Sequence, residues 1–216
     1  LRMSRGLGDV YKRQDTKYIK KLMSQYDIRI VSITPRQSCP NPFHMAVKKT
    51  ELREKAKQYF QNMILAAHEL SCPKLLITSG WQSYSETRQE AWDRSVWMVG
   101  ELCRFAEKYG VSLTMETLSR QSTTLVNTIS DLKQMMKEVN SKAFTITADI
   151  HTIYNAKESI QDYFDTFGKK LNHCHFMDYK NGIRSHLAWG DGEADIKEIL
   201  DIFDRNRFSG HFVLEY

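Results

Sequence analysis

Residues 144–149 read FTITAD, an apolar and β-branched run that closes on an acid. Side chains along a strand alternate between two faces. Thr145, Thr147 and Asp149 therefore share one face, and Phe144, Ile146 and Ala148 the other. The same design recurs on both sides. VSLTME at 111–116 places Ser112, Thr114 and Glu116 opposite Leu113 and Met115. NHCH at 172–175 places His173 and His175 opposite Cys174, and HFVLE at 211–215 ends on Glu215. Each run offers an apolar face to outer helices and a polar face that ends on a potential metal ligand.

Working outward, helical stretches separate these runs. The pattern predicts helices at 15–26, 48–70, 85–109, 125–139, 157–167 and 195–206. It predicts strands at 28–34, 74–78, 111–116, 144–149, 171–177 and 211–216. Strand and helix alternating in this way imply right-handed crossovers and a parallel α/β sheet, either doubly wound or closed into a barrel. No GxGxxG follows a strand and no GxxxxGK[ST] occurs, so the main dinucleotide and P-loop signatures are missing. In a parallel barrel, reacting groups lie at the carboxyl ends of the strands. Glu116, Asp149, His175 and Glu215 all fall there. Three carboxylates and one imidazole form a mostly oxygen donor set suited to Mn²⁺, Mg²⁺ or Co²⁺, with Zn²⁺ also open.

Composition sets broad limits. The chain has 216 residues, 41% hydrophobic and 26% charged, ordinary for one globular domain. No apolar run is long enough for a membrane span. Cys39, Cys72, Cys103 and Cys174 lack CxxC spacing, which points to reduced thiols and a cytoplasmic setting. The net charge is +5, but residues 1–14 carry three of those charges and no basic stripe follows. Nucleic acid is not an expected partner. LRMSRGLGDVYKRQ at 1–14 has no period and resembles a translated sequencing-adapter tract, leaving 15–216 as the domain.

The segments METLSR, ADIHTIYNAKESIQDYF, LNHCHFMD, WGDGEADI and FVLEY resemble the sugar phosphate isomerase/epimerase family, the xylose-isomerase-like (β/α)8 TIM barrels. The likeness is greatest to fructoselysine 3-epimerases and, more distantly, tagatose/psicose 3-epimerases. It implies that this chain carries the third to eighth strands of a barrel, without the first two strands and the final helix. On that expectation the 216-residue chain folds poorly or is inactive, and the full-length protein is a homo-oligomer.

The resemblance further implies that Glu116, Asp149, His175 and Glu215 bind one divalent cation, Mn²⁺ foremost. It implies that Glu116 and Glu215 act as acid and base on opposite faces of a small ketose, through an enediolate. His186, ahead of Gly190 and Gly192, matches a histidine that contacts a sugar hydroxyl. Trp81 is a candidate to stack on the sugar, with rim packing as the alternative, and Arg120 is a candidate to reach the mouth. Lys180 and Arg184 are candidates to meet a phosphate. Two departures bear on the choice of sugar. Thr152 stands where many members have a histidine, with His151 one residue early, and Ser122 replaces a second glutamate.

Other activities on the same ligands are inosose dehydratase or hydroxypyruvate isomerase chemistry, and a non-catalytic sugar-binding barrel. An endonuclease IV-type nuclease needs three zinc ions and more strand-end histidines. Ser79-Gly80-Trp81 offers none after its strand.

Overall fold

The computed structural model describes residues 13–38, 41–183 and 186–215. Most of the 1–14 tract, together with Cys39 and Arg184, lies outside them. Among the described residues five parallel strands pair in chain order: β1 (Lys74–Ile77), β2 (Ser112–Glu116), β3 (Phe144–Asp149), β4 (Leu171–His175) and β5 (His211–Val213). The helices are α1 (Arg13–Gln25), α2 (Thr50–Glu69), α3 (Arg88–Glu107), α4 (Ile129–Val139), α5 (Ile150–Asn155), α6 (Ile160–Phe167) and α7 (Ile196–Arg205). No described helix is long and apolar enough to cross a membrane.

The expected face assignments hold. Leu113, Met115, Phe144, Ile146, Ala148 and Cys174 all lie in one buried apolar cluster with Phe60, Ile64, Trp92, Met98 and Leu102 of the helices. On the opposite face Thr114 and Thr147 share a hydroxyl hydrogen bond of 2.7 Å. The sheet curls strongly about this polar face. A flat sheet would hold β1 and β5 roughly 19 Å apart at the usual strand spacing, far beyond a lysine's reach. Yet Lys74 of β1 donates to the Asn172 carbonyl of β4, and its Nζ lies 3.0 Å from Nδ1 of His211 in β5. The arc is therefore a section of a barrel, with Lys74 spanning its floor. Burial pushes the Lys74 amine down to about 8.

Caps written into the sequence set several helix starts. Thr87 with Glu90, Thr128 with Asp131 and Ser159 with Asp162 form reciprocal capping boxes. They place the starts of α3, α4 and α6 at 88, 129 and 160, later than periodicity alone predicts. The strand expected at 28–34 is reduced to one bridge, Ile33 to Leu75. Among the described residues it pairs with β1 alone, through Ile33 N–H to the Lys74 carbonyl and Leu76 N–H to the Ile33 carbonyl. The strands expected to run to 177 and 216 stop at His175 and Val213. Helix α5 was not foreseen. Asp149 caps it by accepting from Thr152 N–H at 2.7 Å, so one carboxylate ends a strand and starts a helix.

Beyond β1 the chain turns at Gly80, with φ +76°. A Cβ there would lie 2.7 Å from His44 Nδ1 and 2.9 Å from the Ala46 nitrogen, so only glycine fits. His44 is buried against this turn and accepts from Ala46 N–H at 3.3 Å. Burial pushes its ring down to about 4. The unfolded chain takes up that proton near pH 6.5 and the folded chain only near 4, so the contribution of His44 to stability is complete above 6.5 and is lost as pH falls towards 4. The expected loss is about 3 kcal/mol at ~1.4 kcal/mol per pH unit. Thermal melts from pH 7 to 4 test it: His44→Gln should flatten the pH dependence, and an unchanged slope would assign the effect elsewhere.

Candidate metal centre and substrate cavity

Glu116, Asp149 and His175 are the last residues of β2, β3 and β4, and Glu215 lies two residues past β5. Asp149 and His175 are direct cross-strand partners. The sheet's curvature then brings all four ligand groups within 4.8 Å of one another. His175 Nδ1 sits 3.0 Å from Glu116 Oε2, 2.8 Å from Glu215 Oε2 and 3.5 Å from Asp149 Oδ2. None of these approaches has hydrogen-bond geometry, and the buried Nδ1 is left without a hydrogen-bond partner. One imidazole proton cannot serve three carboxylates. A divalent cation accepting all four atoms fits this arrangement, with both nitrogen and oxygen donors present.

The electrostatics follow from burial and the shared histidine. Burial pushes Glu116 above the ordinary carboxylate range, against the pull of His175. Burial acts the same way on Asp149, but the His175 and His186 contacts outweigh it and hold that carboxyl low. Glu215 is also held low by His175 against the effect of burial. Its side chain is the open member of the set, 47% exposed against 9% for Glu116. Beneath the site, His173 is fully buried with both ring nitrogens unpartnered, and burial drives it down to about 3.

The three carboxylates face a cavity of about 500 Å³, a size that suits a small ligand. Glu116, Asp149 and Glu215 line its base. Arg120, Ser119, Ser122, Asn127, His151, Asn155 and His186 line its walls. Arg120 and His186 are thus brought to the same space as the ligand set. Trp81 is not among the lining residues: its indole stacks on His44 at 3.8 Å between ring centroids. Lys180 does not line the cavity either.

Two positioning groups escaped the sequence reading. Tyr163 of α6 is wholly buried, and its hydroxyl meets Thr117 at 2.8 Å, bracing the residue after Glu116. Asp178 organises the loop that presents His186. Its carboxylate accepts from the backbone N–H of Tyr179, Gly190, Gly192 and Ala194 at 2.8–3.0 Å. Burial pushes Asp178 up, but these donors outweigh it and hold it low. A Cβ at Gly192 would lie 2.3 Å from the Asp178 carboxylate, which explains that glycine. The signal was present in the sequence as an acid after a strand followed by WGDG, but the pairing spans a loop.

Asp178→Ala should cost roughly 2–4 kcal/mol, because charged hydrogen bonds are lost and four N–H groups are released. It should also weaken substrate binding by displacing His186. Denaturant melts and a KM measurement check both. A variant as stable as the parent would show that the loop holds without its acid.

An arc of parallel strands with four candidate ligands gathered at their carboxyl ends is the arrangement of an α/β barrel. The sequence matches the Xylose isomerase-like TIM barrel family over residues 3–216, and the chain belongs to that family. It is 28% identical to the fructoselysine 3-epimerase of Shigella flexneri over 200 residues, covering 92% of this chain and 72% of that protein. It is 26% identical to the D-psicose 3-epimerase of Ruminiclostridium cellulolyticum over 156 residues, 68% of this chain and 53% of the relative. Among solved structures, the apo 3-keto-D-glucoside 4-epimerase of E. coli superposes with a TM-score of 0.81 at 14% identity, covering 94% of this chain and 77% of that one. The likeness in that case is one of fold.

Proposed function

We propose that this protein epimerises a ketose or ketose derivative with the help of one divalent cation. The observation that carries the proposal is the convergence of Glu116, Asp149 and Glu215 on His175 Nδ1 without hydrogen-bond geometry, at the base of a sugar-sized polar cavity. The 3-epimerase names of the relatives support it. A cation held there would polarise the substrate carbonyl and acidify the neighbouring C–H.

The chain's own groups do the rest. Glu116 ends β2, Glu215 follows β5, and both line the cavity. One takes the proton from the carbon beside the carbonyl. The other returns a proton to the opposite face, inverting the centre. His186 and Arg120, which line the cavity, hold sugar hydroxyls. Mn²⁺ is the proposed ion on the oxygen-rich donor set.

The test is incubation with Mn²⁺ and a panel of ketoses and fructosamines in D₂O, with deuterium uptake followed by NMR. Uptake at C3 is the expected result. Uptake only at C1 would make the enzyme an aldose–ketose isomerase. No uptake despite bound metal would leave a dehydratase or a sugar-binding barrel.

A further inference from the structure

One wall of the cavity belongs to a single loop, residues 117–128, between β2 and α4. Its backbone is tied to itself. Leu118 N–H donates to the Val126 carbonyl at 3.2 Å, and the N–H groups of Ser122 and Thr123 both donate to the Ser119 carbonyl, at 2.9 and 3.0 Å. The buried Asn127 amide donates to the Leu118 and Thr123 carbonyls. Thr123, also buried, donates to the Gly80 carbonyl and lies 3.1 Å from the Ser79 hydroxyl. Arg88 of α3 adds donors to the Thr124 and Leu125 carbonyls. Residues 119–123 are thus a closed, anchored turn.

Arg120 stands exposed in that turn and takes no part in the bracing. Among the described residues no hydrogen bond, ion pair or ring contact engages its guanidinium, although it lines the cavity. The acids of the cavity do not neutralise it. Glu116, Asp149 and Glu215 gather on His175, and they are the only acids among the lining residues. Ser119 and Ser122, exposed in the same turn, set their hydroxyls 3.2 Å apart. Their shared hydrogen bond uses one O–H and leaves the other free to donate. A guanidinium offers five N–H donors in a planar fork that matches an oxyanion, and a sugar hydroxyl uses only part of it. Fixing the turn beforehand lowers the ordering cost of binding.

We propose that the substrate carries an anionic group, a phosphate monoester or a carboxylate, and that Arg120 receives it together with the Ser119 and Ser122 hydroxyls. The proposal rests on the epimerase reading of the same cavity and narrows its substrate class from ketoses in general to ketoses that bear an oxyanion. The cavity of about 500 Å³ has the size of sites for drug-sized ligands, more than a bare six-carbon sugar requires.

The experiment is isothermal titration calorimetry of the 216-residue chain in Mn²⁺ buffer with two matched pairs of probes. Fructose 6-phosphate is set against fructose, and N-fructosylglycine against N-fructosylmethylamine. The first pair differs by a phosphate and the second by a carboxylate. In one pair the anionic member should bind at least about tenfold more tightly, as hydrogen bonds to charged groups provide. That pair identifies the anion. Arg120→Gln should cost the anionic member at least about tenfold more affinity than its neutral partner, and Arg120→Lys should restore part of the difference. Circular dichroism confirms that both variants are folded. No preference for either anion in the parent chain overturns the proposal, as does an equal loss from both members in Arg120→Gln. Deuterium uptake at C3, followed on the same probes, separates the anion site from the reaction. Uptake without an anion preference overturns the anion site and leaves the epimerase reading standing. An Arg120-dependent preference without uptake supports the anion site and overturns the epimerase reading.

Discussion

Glu116→Gln and Glu215→Gln are each expected to lower epimerase turnover by about 10³-fold or more, within the range that a positioned acid or base contributes. Each replacement keeps the shape and one oxygen donor but removes the ability to take or return a proton. Glu116 is nearly buried on β2, whereas Glu215 is half open beyond β5. Both side chains line the cavity, one at the end of β2 and the other just past β5. The two variants should also lose deuterium uptake at C3 while remaining folded by circular dichroism. Metal content must be counted alongside, because both residues are proposed ligands. A variant that holds metal, stays folded and still exchanges at C3 at the parent rate would remove that glutamate from the mechanism.

His175→Ala should produce the second large effect, on metal binding. His175 is the group that all three carboxylates approach. Without it the proposed cation loses a nitrogen ligand, and three acidic groups face one another in a buried space. Removing one partner of a buried charge set costs about 3–5 kcal/mol, partly offset here by protonation of the acids.

In the parent chain, Mn²⁺ at a hundred times its dissociation constant should stabilise the fold by about 2.7 kcal/mol, and chelator should reverse the gain. The variant should melt at the same temperature with Mn²⁺ and with chelator. A Mn²⁺-dependent rise as large as the parent's would show that His175 is not a ligand of that ion.

Much of the architecture was legible because it is written in short-range order. Alternation of period two in VSLTME and FTITAD assigned the inner and outer faces that the buried cluster displays. The capping pairs Thr87–Glu90, Thr128–Asp131 and Ser159–Asp162 were equally present in the sequence. Periodicity extends past them, so the helix starts it predicts fall too early. The 28–34 run failed as a strand for a different reason. β propensity describes fitness for a half-buried surface, and this segment finds one neighbour, at Ile33.

The four candidate ligands could be named from the sequence because a parallel barrel places every strand's carboxyl end on one rim. Facing and position along each strand then suffice to select Glu116, Asp149, His175 and Glu215. The tertiary structure alone decided matters that depend on distance between loops. It set Trp81 against His44 and gathered four amide donors on Asp178. It turned His151 towards His186 and carried Lys74 across the floor to β4 and β5. Periodicity is a property of neighbours in the chain, whereas sheet curvature and loop closure are set by packing among residues far apart in it. The choice of candidate ligands was therefore local information, and what surrounds them was not.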